Sequence, residues 1–160
     1  MRVAILGGGP AGYVSAVKLA QLGAEVTLIE QEHIGGTCLN EGCIPTKVLL
    51  NTTELYNRIN KEATSLGLDI KDVKLNWPMV QERKNMAVFQ LVDGVKTLLE
   101  NNKVDVIQGR GKFLTRYELE VITNTKERVL IPFDKAIIAT GSTPIKIPIA
   151  GADLDGVITS

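Results

Sequence analysis

Two cysteines, Cys38 and Cys43, are the residues of this 160-residue chain whose type and spacing point most directly to chemistry. They are its only cysteines, four residues separate them, and Pro45 follows. Purely structural disulfides are rare in a reducing cytosol, so neighbouring thiols should perform redox chemistry, bind a metal or be incidental. Pro45 suits the first turn of a helix, and a helix N-terminus lowers the pKa of a nearby thiol and favours the thiolate. We therefore predict a reactive thiol pair.

The spacing of the two cysteines places a condition on any bond between them. In a regular helix, residues five apart have Cα atoms roughly 8–9 Å apart, whereas a disulfide tolerates at most about 7 Å. A Cys38–Cys43 bond therefore requires irregular backbone over residues 39–42, for which Gly42 supplies the freedom. A zinc site with His33, the only histidine, is the alternative, but structural zinc needs four ligands and only three candidates are present. We expect His33 to be an exposed loop residue.

The elements that must position the thiols begin with a glycine-rich turn. Gly7, Gly9 and Gly12 form a GxGxxG pattern between an apolar strand at 3–6 and a helix at 11–22. The first glycine permits the tight turn, and the second lets the backbone approach a pyrophosphate. The third lets the helix pack closely, and free N–H groups at the helix start face the phosphates. This order of elements predicts a dinucleotide site.

A second apolar strand at 25–29 completes the βαβ unit and ends at Glu30. A carboxylate at this position can accept hydrogen bonds from an adenosine ribose. It would repel a 2′-phosphate, so an NADP adenosine is disfavoured at this site. The acid in register with the glycines strengthens the nucleotide interpretation.

The rest of the chain predicts a continuation of the same α/β fold. The long helix near residue 80 has an apolar stripe, and we expect its methionines and phenylalanine to be core residues. We expect Gly109–Gly111 to end the strand at 104–107. We expect Glu118 and Glu120 to lie on the solvent-exposed face of a later strand. The predicted elements are a helix from Pro45 to about Ile59, a helix at 77–99, and strands at 104–107, 118–121, 129–131 and 135–139. The predicted fold is a Rossmann-like parallel sheet with flanking helices and a small antiparallel β-meander.

Composition excludes several classes of function. Hydrophobic residues make up 44% of the chain and charged residues 22%, which is typical of globular proteins. Formal net charge is zero and no basic cluster stands out, so nucleic-acid binding is not expected. No apolar run reaches the ~20 residues of a membrane span, and we expect no cleavable leader ahead of the first strand. We expect a cytoplasmic protein.

Taken together, these motifs resemble those of the FAD-dependent pyridine nucleotide–disulfide oxidoreductases. The resemblance rests on the GxGxxG turn, on Glu30, on the segment 35–47 and on Ala139-Thr140-Gly141. The segment 35–47 reads Gly-Gly-Thr-Cys-Leu-Asn-Glu-Gly-Cys-Ile-Pro-Thr-Lys and is most similar to that of the dihydrolipoamide dehydrogenases. Glutathione and mercuric reductases are relatives with similar segments.

The resemblance implies roles for individual residues. Cys38 would exchange with a dithiol substrate, Cys43 would lie against the flavin as the charge-transfer thiolate, and Lys47 would approach the reactive edge of the isoalloxazine. Gly111 would meet the adenine side. The implied FAD-binding set is Gly7, Gly9, Pro10, Ala11, Gly12, Glu30, Gly36, Thr37, Lys47, Gly111, Thr140, Gly141 and Ser142.

The resemblance also implies a reaction and a longer enzyme. Dihydrolipoamide of a lipoyl-bearing multienzyme complex would be oxidised through a Cys38–Cys43 disulfide and FAD, with NAD as the final acceptor. Family members are longer and homodimeric, with an NAD site and an interface domain. We expect residues 1–160 to be the N-terminal part of the FAD domain, inactive alone. The alternatives are a stand-alone FAD and dithiol electron-transfer module, a sibling reductase, and an NAD-binding domain with incidental cysteines.

Overall fold

A computed structural model describes residues 1–159, and its centre is a single six-stranded sheet. The sheet order is β5-β4-β3-β2-β1-β6. In chain order, the elements are β1 (Arg2–Leu6), α1 (Pro10–Gln21), β2 (Glu25–Glu30), α2 (Gly36–Asn40), α3 (Cys43–Glu62), a 3₁₀ turn (Thr64–Leu66), α4 (Trp77–Asn101), β3 (Asp105–Thr115), β4 (Glu118–Thr123), β5 (Arg128–Pro132) and β6 (Lys135–Ile138).

The parallel half of the sheet consists of β3, β2, β1 and β6. Ile5 of β1 is paired with Leu28 on one side and with Ile137 on the other. Ile5 and Leu28 are fully buried, because both faces of these strands are covered. The βαβ unit and the Rossmann-like sheet are therefore confirmed.

Strand β3 is longer than its pattern predicts. It pairs in parallel with β2 over Asp105–Gln108 and then continues antiparallel to β4 from Gly109 onward. The expectation that Gly109–Gly111 ends the strand is wrong. A Cβ atom at Gly109 would lie 2.5 Å from the carbonyl oxygen of Ile122. The glycine thus permits a close cross-strand approach where β3 changes partners.

Strands β3, β4 and β5 form the predicted meander. Leu119 and Val121 are buried in the core beneath it. Glu120 was expected on a wet face but is only 7% exposed, because Lys112 and Arg128 from both neighbouring strands form ion pairs with it. These partners, with Lys112 foremost, hold the pKa of Glu120 below its usual value.

Helices α3 and α4 pack against each other on the side of the thiol segment. Helix α4 begins as predicted, with Asn76 Oδ1 accepting a 3.3 Å hydrogen bond from the Met79 backbone N–H. The expectation that its methionines and phenylalanine are core residues is wrong, since Met86 is 56% and Phe89 71% exposed. Val80 and Leu99 are its buried residues.

No helix within residues 1–159 is long and apolar enough to cross a membrane.

Candidate functional site

The glycine-rich turn after β1 is closed by direct backbone contacts. Gly7 has φ +104°, a conformation that favours glycine, and a Cβ atom there would lie 2.1 Å from the Ala139 carbonyl oxygen. A Cβ atom at Gly12 would lie 1.8 Å from the Gly7 carbonyl oxygen. The predicted close packing of α1 on the turn is confirmed, and neither position has room for a side chain.

The N-terminus of α1 is open to an anion. Gly9 is the N-cap residue and supplies no capping side chain, Pro10 occupies the first turn, and no acidic residue lies there. The backbone N–H groups of Ala11 and Gly12 have no earlier helical carbonyl to bind. Such an end attracts phosphate through its unpaired N–H groups and the helix dipole.

Glu30 lies beside the turn, and its carboxylate bonds to backbone on both sides. Oε2 accepts a 2.5 Å hydrogen bond from the Gly8 N–H, and Oε1 accepts a 2.7 Å bond from the Glu32 N–H. The side chain is largely buried. The sequence predicts that Glu30 binds a ribose, and its spacing does not reveal these bonds to the backbone.

The end of β6 lies against the same turn. The Ala139 N–H donates a 2.7 Å hydrogen bond to the Leu6 carbonyl. A Cβ atom at Gly7 would lie 3.1 Å from the Cα of Thr140. Thr140 therefore sits beside the glycine turn, and Gly141 and Ser142 follow it as exposed residues.

The thiol segment contacts the glycine turn through its backbone. The Gly35 N–H donates a 2.8 Å hydrogen bond to the Gly8 carbonyl. A Cβ atom at Gly36 would lie 2.8 Å from the Cα of Gly9. The nucleotide motif and the segment that carries the cysteines are thus adjacent parts of one site.

The two cysteines lie on different helices separated by a break. Cys38 is within α2, and Cys43 is the first residue of α3. Between them, the N–H groups of Glu41 and Gly42 both donate to the Thr37 carbonyl, at 2.9 and 2.7 Å. The predicted irregularity at Gly42 is confirmed.

Both cysteines are free thiols, Cys38 half-buried and Cys43 exposed. The pKa of Cys38 is raised, chiefly by a side-chain hydrogen bond with Cys43 and then by burial and by the charge of Cys43. The positive charge of Lys47 and the backbone N–H of Cys43 oppose this shift. The lowered pKa that we predict for a thiol near the helix N-terminus does not extend to Cys38, because the contact with Cys43 outweighs the positive charge of Lys47.

The other residues that the sequence predicts for the site differ in exposure and in their packing. Thr37 and Lys47 are exposed on α2 and α3. Gly111 packs under the ends of β1 and β2, where a Cβ atom would lie 2.6 Å from Leu6 Cδ2. His33 is exposed, as expected. No group of three or more metal-binding side chains occurs within residues 1–159.

Sequence reasoning missed the residues that join the two motifs. Gly8 and Gly35 connect the glycine turn to the thiol segment through their backbones. Asn40 lies at the end of α2, and its amide nitrogen bonds to carbonyls of the same segment. Asn40 is also among the residues that line a cavity of about 440 Å³, together with His33 and Lys96. For Gly35 and Asn40, the only signal in the sequence is their short distance along the chain from the cysteines; for Gly8 it is its place within the GxGxxG pattern.

The donor groups of the site fit a dinucleotide such as FAD. The glycine turn forms a cradle that a Cβ atom would fill at Gly7 and Gly12, and the uncapped end of α1 offers N–H groups for a pyrophosphate. The Glu30 carboxylate stands at the end of β2, where a ribose would be bound. The thiols follow on the adjoining segment.

Comparison with known proteins agrees with this arrangement. The family model for pyridine nucleotide-disulphide oxidoreductases matches residues 1–160. A dihydrolipoyl dehydrogenase of Bacillus subtilis is 41% identical over 100% of this chain and 35% of its own length. Dihydrolipoyl dehydrogenase 2, a mitochondrial protein of Arabidopsis thaliana, is 40% identical over 99% of the chain and 31% of its own length. The chain thus spans about a third of the length of these relatives.

Solved structures give the same result. The crystal structure of LpdA from Mycobacterium tuberculosis superposes with a TM-score of 0.85 at 27% identity, covering 92% of this chain and 33% of LpdA. The HOCl-induced flavoprotein disulfide reductase RclA from Escherichia coli, solved as a Cu(II) complex, gives 0.75 at 32% identity, covering 92% and 30%. By its motifs, its fold and these matches, the chain belongs to the pyridine nucleotide–disulphide oxidoreductase family.

Proposed function

We propose that this chain is the flavin- and thiol-bearing part of an enzyme of the dihydrolipoyl dehydrogenase type. The full-length enzyme would oxidise the dihydrolipoamide of a lipoyl-bearing complex and reduce NAD. The observation that carries the proposal is the backbone contact between Gly8–Gly9 and Gly35–Gly36, which joins a nucleotide cradle to a dithiol. The roughly 40% identity to dihydrolipoyl dehydrogenases favours this substrate.

In this proposal, the glycine turn and its surroundings hold FAD. The N–H groups at the start of α1, at Ala11 and Gly12, bind the pyrophosphate, and Glu30 binds the ribose of the adenosine. Gly36, Thr37, Gly111 and Thr140–Ser142 line the remaining length of the cofactor. When bound, FAD supplies the two-electron acceptor for the dithiol.

The chemistry of the chain's own residues is thiol–disulfide exchange. In the oxidised pair, a substrate thiolate attacks Cys38 Sγ, a new S–S bond forms, the Cys38–Cys43 bond breaks, and Cys43 leaves as a thiolate. The second substrate thiolate then attacks the substrate sulfur of this mixed disulfide, closing the substrate's own disulfide and releasing Cys38. The substrate loses two electrons, and the cysteine pair gains them.

The raised pKa of Cys38 is consistent with its part in this exchange. Once both thiols are reduced, their hydrogen bond favours retention of a proton on Cys38. The positive charge of Lys47 opposes this shift and favours the thiolate form of Cys38.

The wider organisation of the enzyme is proposed from the family alone. The chain would be the N-terminal part of the FAD domain of a cytoplasmic homodimer, and the remaining length would supply the NAD site and the dimer interface. On that basis residues 1–160 alone would not turn over dihydrolipoamide.

The test is an assay of the full-length enzyme with FAD, NAD and dihydrolipoamide. We expect NAD reduction by the wild type, and loss of turnover with retained FAD in Cys38→Ser. Reduced Cys43→Ser should lack the long-wavelength absorption band of a thiolate next to the flavin. Turnover by Cys38→Ser would refute the assigned roles. Activity only with glutathione disulfide or mercuric ion would assign the enzyme to a sibling reductase.

A further inference from the structure

Helix α2, which carries Cys38, is too short to hold itself in place. It has five residues, and its N-cap Gly35 supplies no capping side chain. Helices this short are marginal without tertiary contacts. Its position must therefore come from its surroundings, which include α3 and α4, and two of its own side chains contribute. One is Leu39, which is buried against Gly35.

The second side chain is Asn40, the last residue of α2. Its Nδ2 donates a 2.9 Å hydrogen bond to the Gly36 carbonyl and a 3.1 Å bond to the Ile34 carbonyl. Both bonds come from one nitrogen, and their acceptors flank Gly35: Ile34 precedes it and Gly36 is the first residue of α2. Within residues 1–159, no other side chain of the segment 34–43 donates a hydrogen bond to a carbonyl of that segment.

The turn that Asn40 binds is also the turn that meets the nucleotide motif. Gly35 lies between the two acceptor residues, and its N–H bonds to the Gly8 carbonyl at 2.8 Å. Asn40 therefore connects the end of α2 to the glycine turn. Cys38 lies two residues before Asn40, and Cys43 lies three residues after it. A shift of α2 would change the separation of the two thiols.

We propose that Asn40 is a positioning residue for the thiol pair, whose amide holds the short helix that carries Cys38 in register with Cys43. This role rests on the proposed redox function of the pair. The role depends on the two hydrogen bonds that the Asn40 amide donates. A side chain with one donor should therefore keep part of the positioning, and an apolar side chain should keep none.

The test uses the present chain, with Asn40→Ala and Asn40→Ser as variants. Asn60→Ala is the matched control, because Asn60 Nδ2 donates the same kind of bond, 2.8 Å to the Tyr56 carbonyl, on the exposed side of α3. Two properties are measured for each protein. One is the pH dependence of Cys38 alkylation by iodoacetamide, followed by peptide mass spectrometry. The other is the equilibrium between dithiol and disulfide in glutathione buffers.

We expect Asn40→Ala to disfavour the disulfide by about tenfold, which is the effect of losing roughly one net hydrogen bond. The pKa of Cys38 should also be lower than in the wild type, because the hydrogen bond with Cys43 that raises this pKa is weakened. Asn40→Ser should be intermediate, since a serine hydroxyl can reach the carbonyl four residues back. Asn60→Ala should match the wild type in both measurements.

Wild-type behaviour of Asn40→Ala in both measurements would overturn the proposal, as would equal shifts in Asn40→Ala and Asn60→Ala. If circular dichroism shows that Asn40→Ala is unfolded, Asn40→Ser is compared with Asn60→Ala instead. Equal behaviour of these two variants in both measurements would then overturn the proposal. Failure of the wild type to form any disulfide would refute the proposed redox function instead, and the alkylation profiles would still decide the role of Asn40.

Discussion

The glycine turn at 7–12 and the thiol segment at 36–43 lie against each other but are stabilised in different ways. In the turn, backbone meets backbone at distances that exclude a Cβ atom at Gly7 and Gly12. In the thiol segment, a five-residue helix is held by Leu39 and the amide of Asn40. The turn thus has no room for a side chain at Gly7 or Gly12, whereas the position of the thiol segment depends on single side chains. Substitutions in the turn should reduce stability, and those in the thiol segment should change reactivity.

The largest effect is expected for Gly12→Ala. Its Cβ would lie 1.8 Å from the Gly7 carbonyl oxygen, so α1 must move away from the turn. We expect the free energy of unfolding to fall by about 2–4 kcal/mol, measured by urea denaturation. Gly94→Ala is the control, because nothing lies within 4 Å of a Cβ there. It should gain about 0.5–1 kcal/mol from helix propensity. Equal effects of the two substitutions would show that the turn is not closely packed.

A smaller loss of stability is expected for Glu30→Gln. The carboxylate accepts from the N–H groups of Gly8 and Glu32 with its two oxygens. An amide has one oxygen, so one N–H faces a donor. We expect the free energy of unfolding to fall by about 1–3 kcal/mol in the same denaturation assay. Glu32→Gln is the control, since no hydrogen bond to the Glu32 carboxylate occurs within residues 1–159. If Glu32→Gln lowered the free energy of unfolding as much as Glu30→Gln does, the hydrogen bonds of Glu30 would not explain the loss.

The thiol segment should respond through the pKa of Cys38 with little loss of stability. Cys43→Ala removes the largest cause of the raised pKa and leaves Lys47, which lowers it. Cys38 should then be alkylated faster at pH 7.5, because more of it is thiolate. Lys47→Met should have the opposite effect. Slower alkylation in Cys43→Ala would contradict the coupling between the thiols.

The same coupling sets the sign of a pH effect on stability. The folded pKa of Cys38 lies above that of the unfolded chain. The protonated Cys38 thiol therefore contributes its full stabilisation below the unfolded pKa. This stabilisation is lost as the pH rises through the higher pKa of the folded state. Denaturation series at increasing alkaline pH should show a smaller decline for Cys43→Ala than for the wild type. An equal decline would show that Cys43 does not cause the shift.

The sequence was sufficient for the parts of the fold that depend on local chemistry. The GxGxxG spacing and the apolar strands predicted β1, α1 and β2, because each residue type there meets a local requirement of the turn. The irregular backbone at Gly42 followed from the allowed length of a disulfide. These features need no knowledge of distant partners.

The features that sequence reasoning missed depend on partners far along the chain. Helix α2 has too few residues for a hydrophobic period. Strand β3 continues past Gly109 because β4 pairs with it, and the pattern alone shows only a glycine. The exposure of Met86 and Phe89 depends on which face of α4 the rest of the molecule covers. The raised pKa of Cys38 required the orientation of the Cys43 thiol, which spacing does not fix.

The central claim is that the glycine turn and the thiol pair form one flavin and dithiol site. Its most direct test is the visible absorption spectrum of FAD titrated anaerobically into the reduced chain and into Cys43→Ser and Gly12→Ala. The account predicts saturable binding to the wild type with a long-wavelength band, binding without that band in Cys43→Ser, and loss of binding in Gly12→Ala. Identical spectra for the wild type and Cys43→Ser, or undiminished binding to Gly12→Ala, would contradict it.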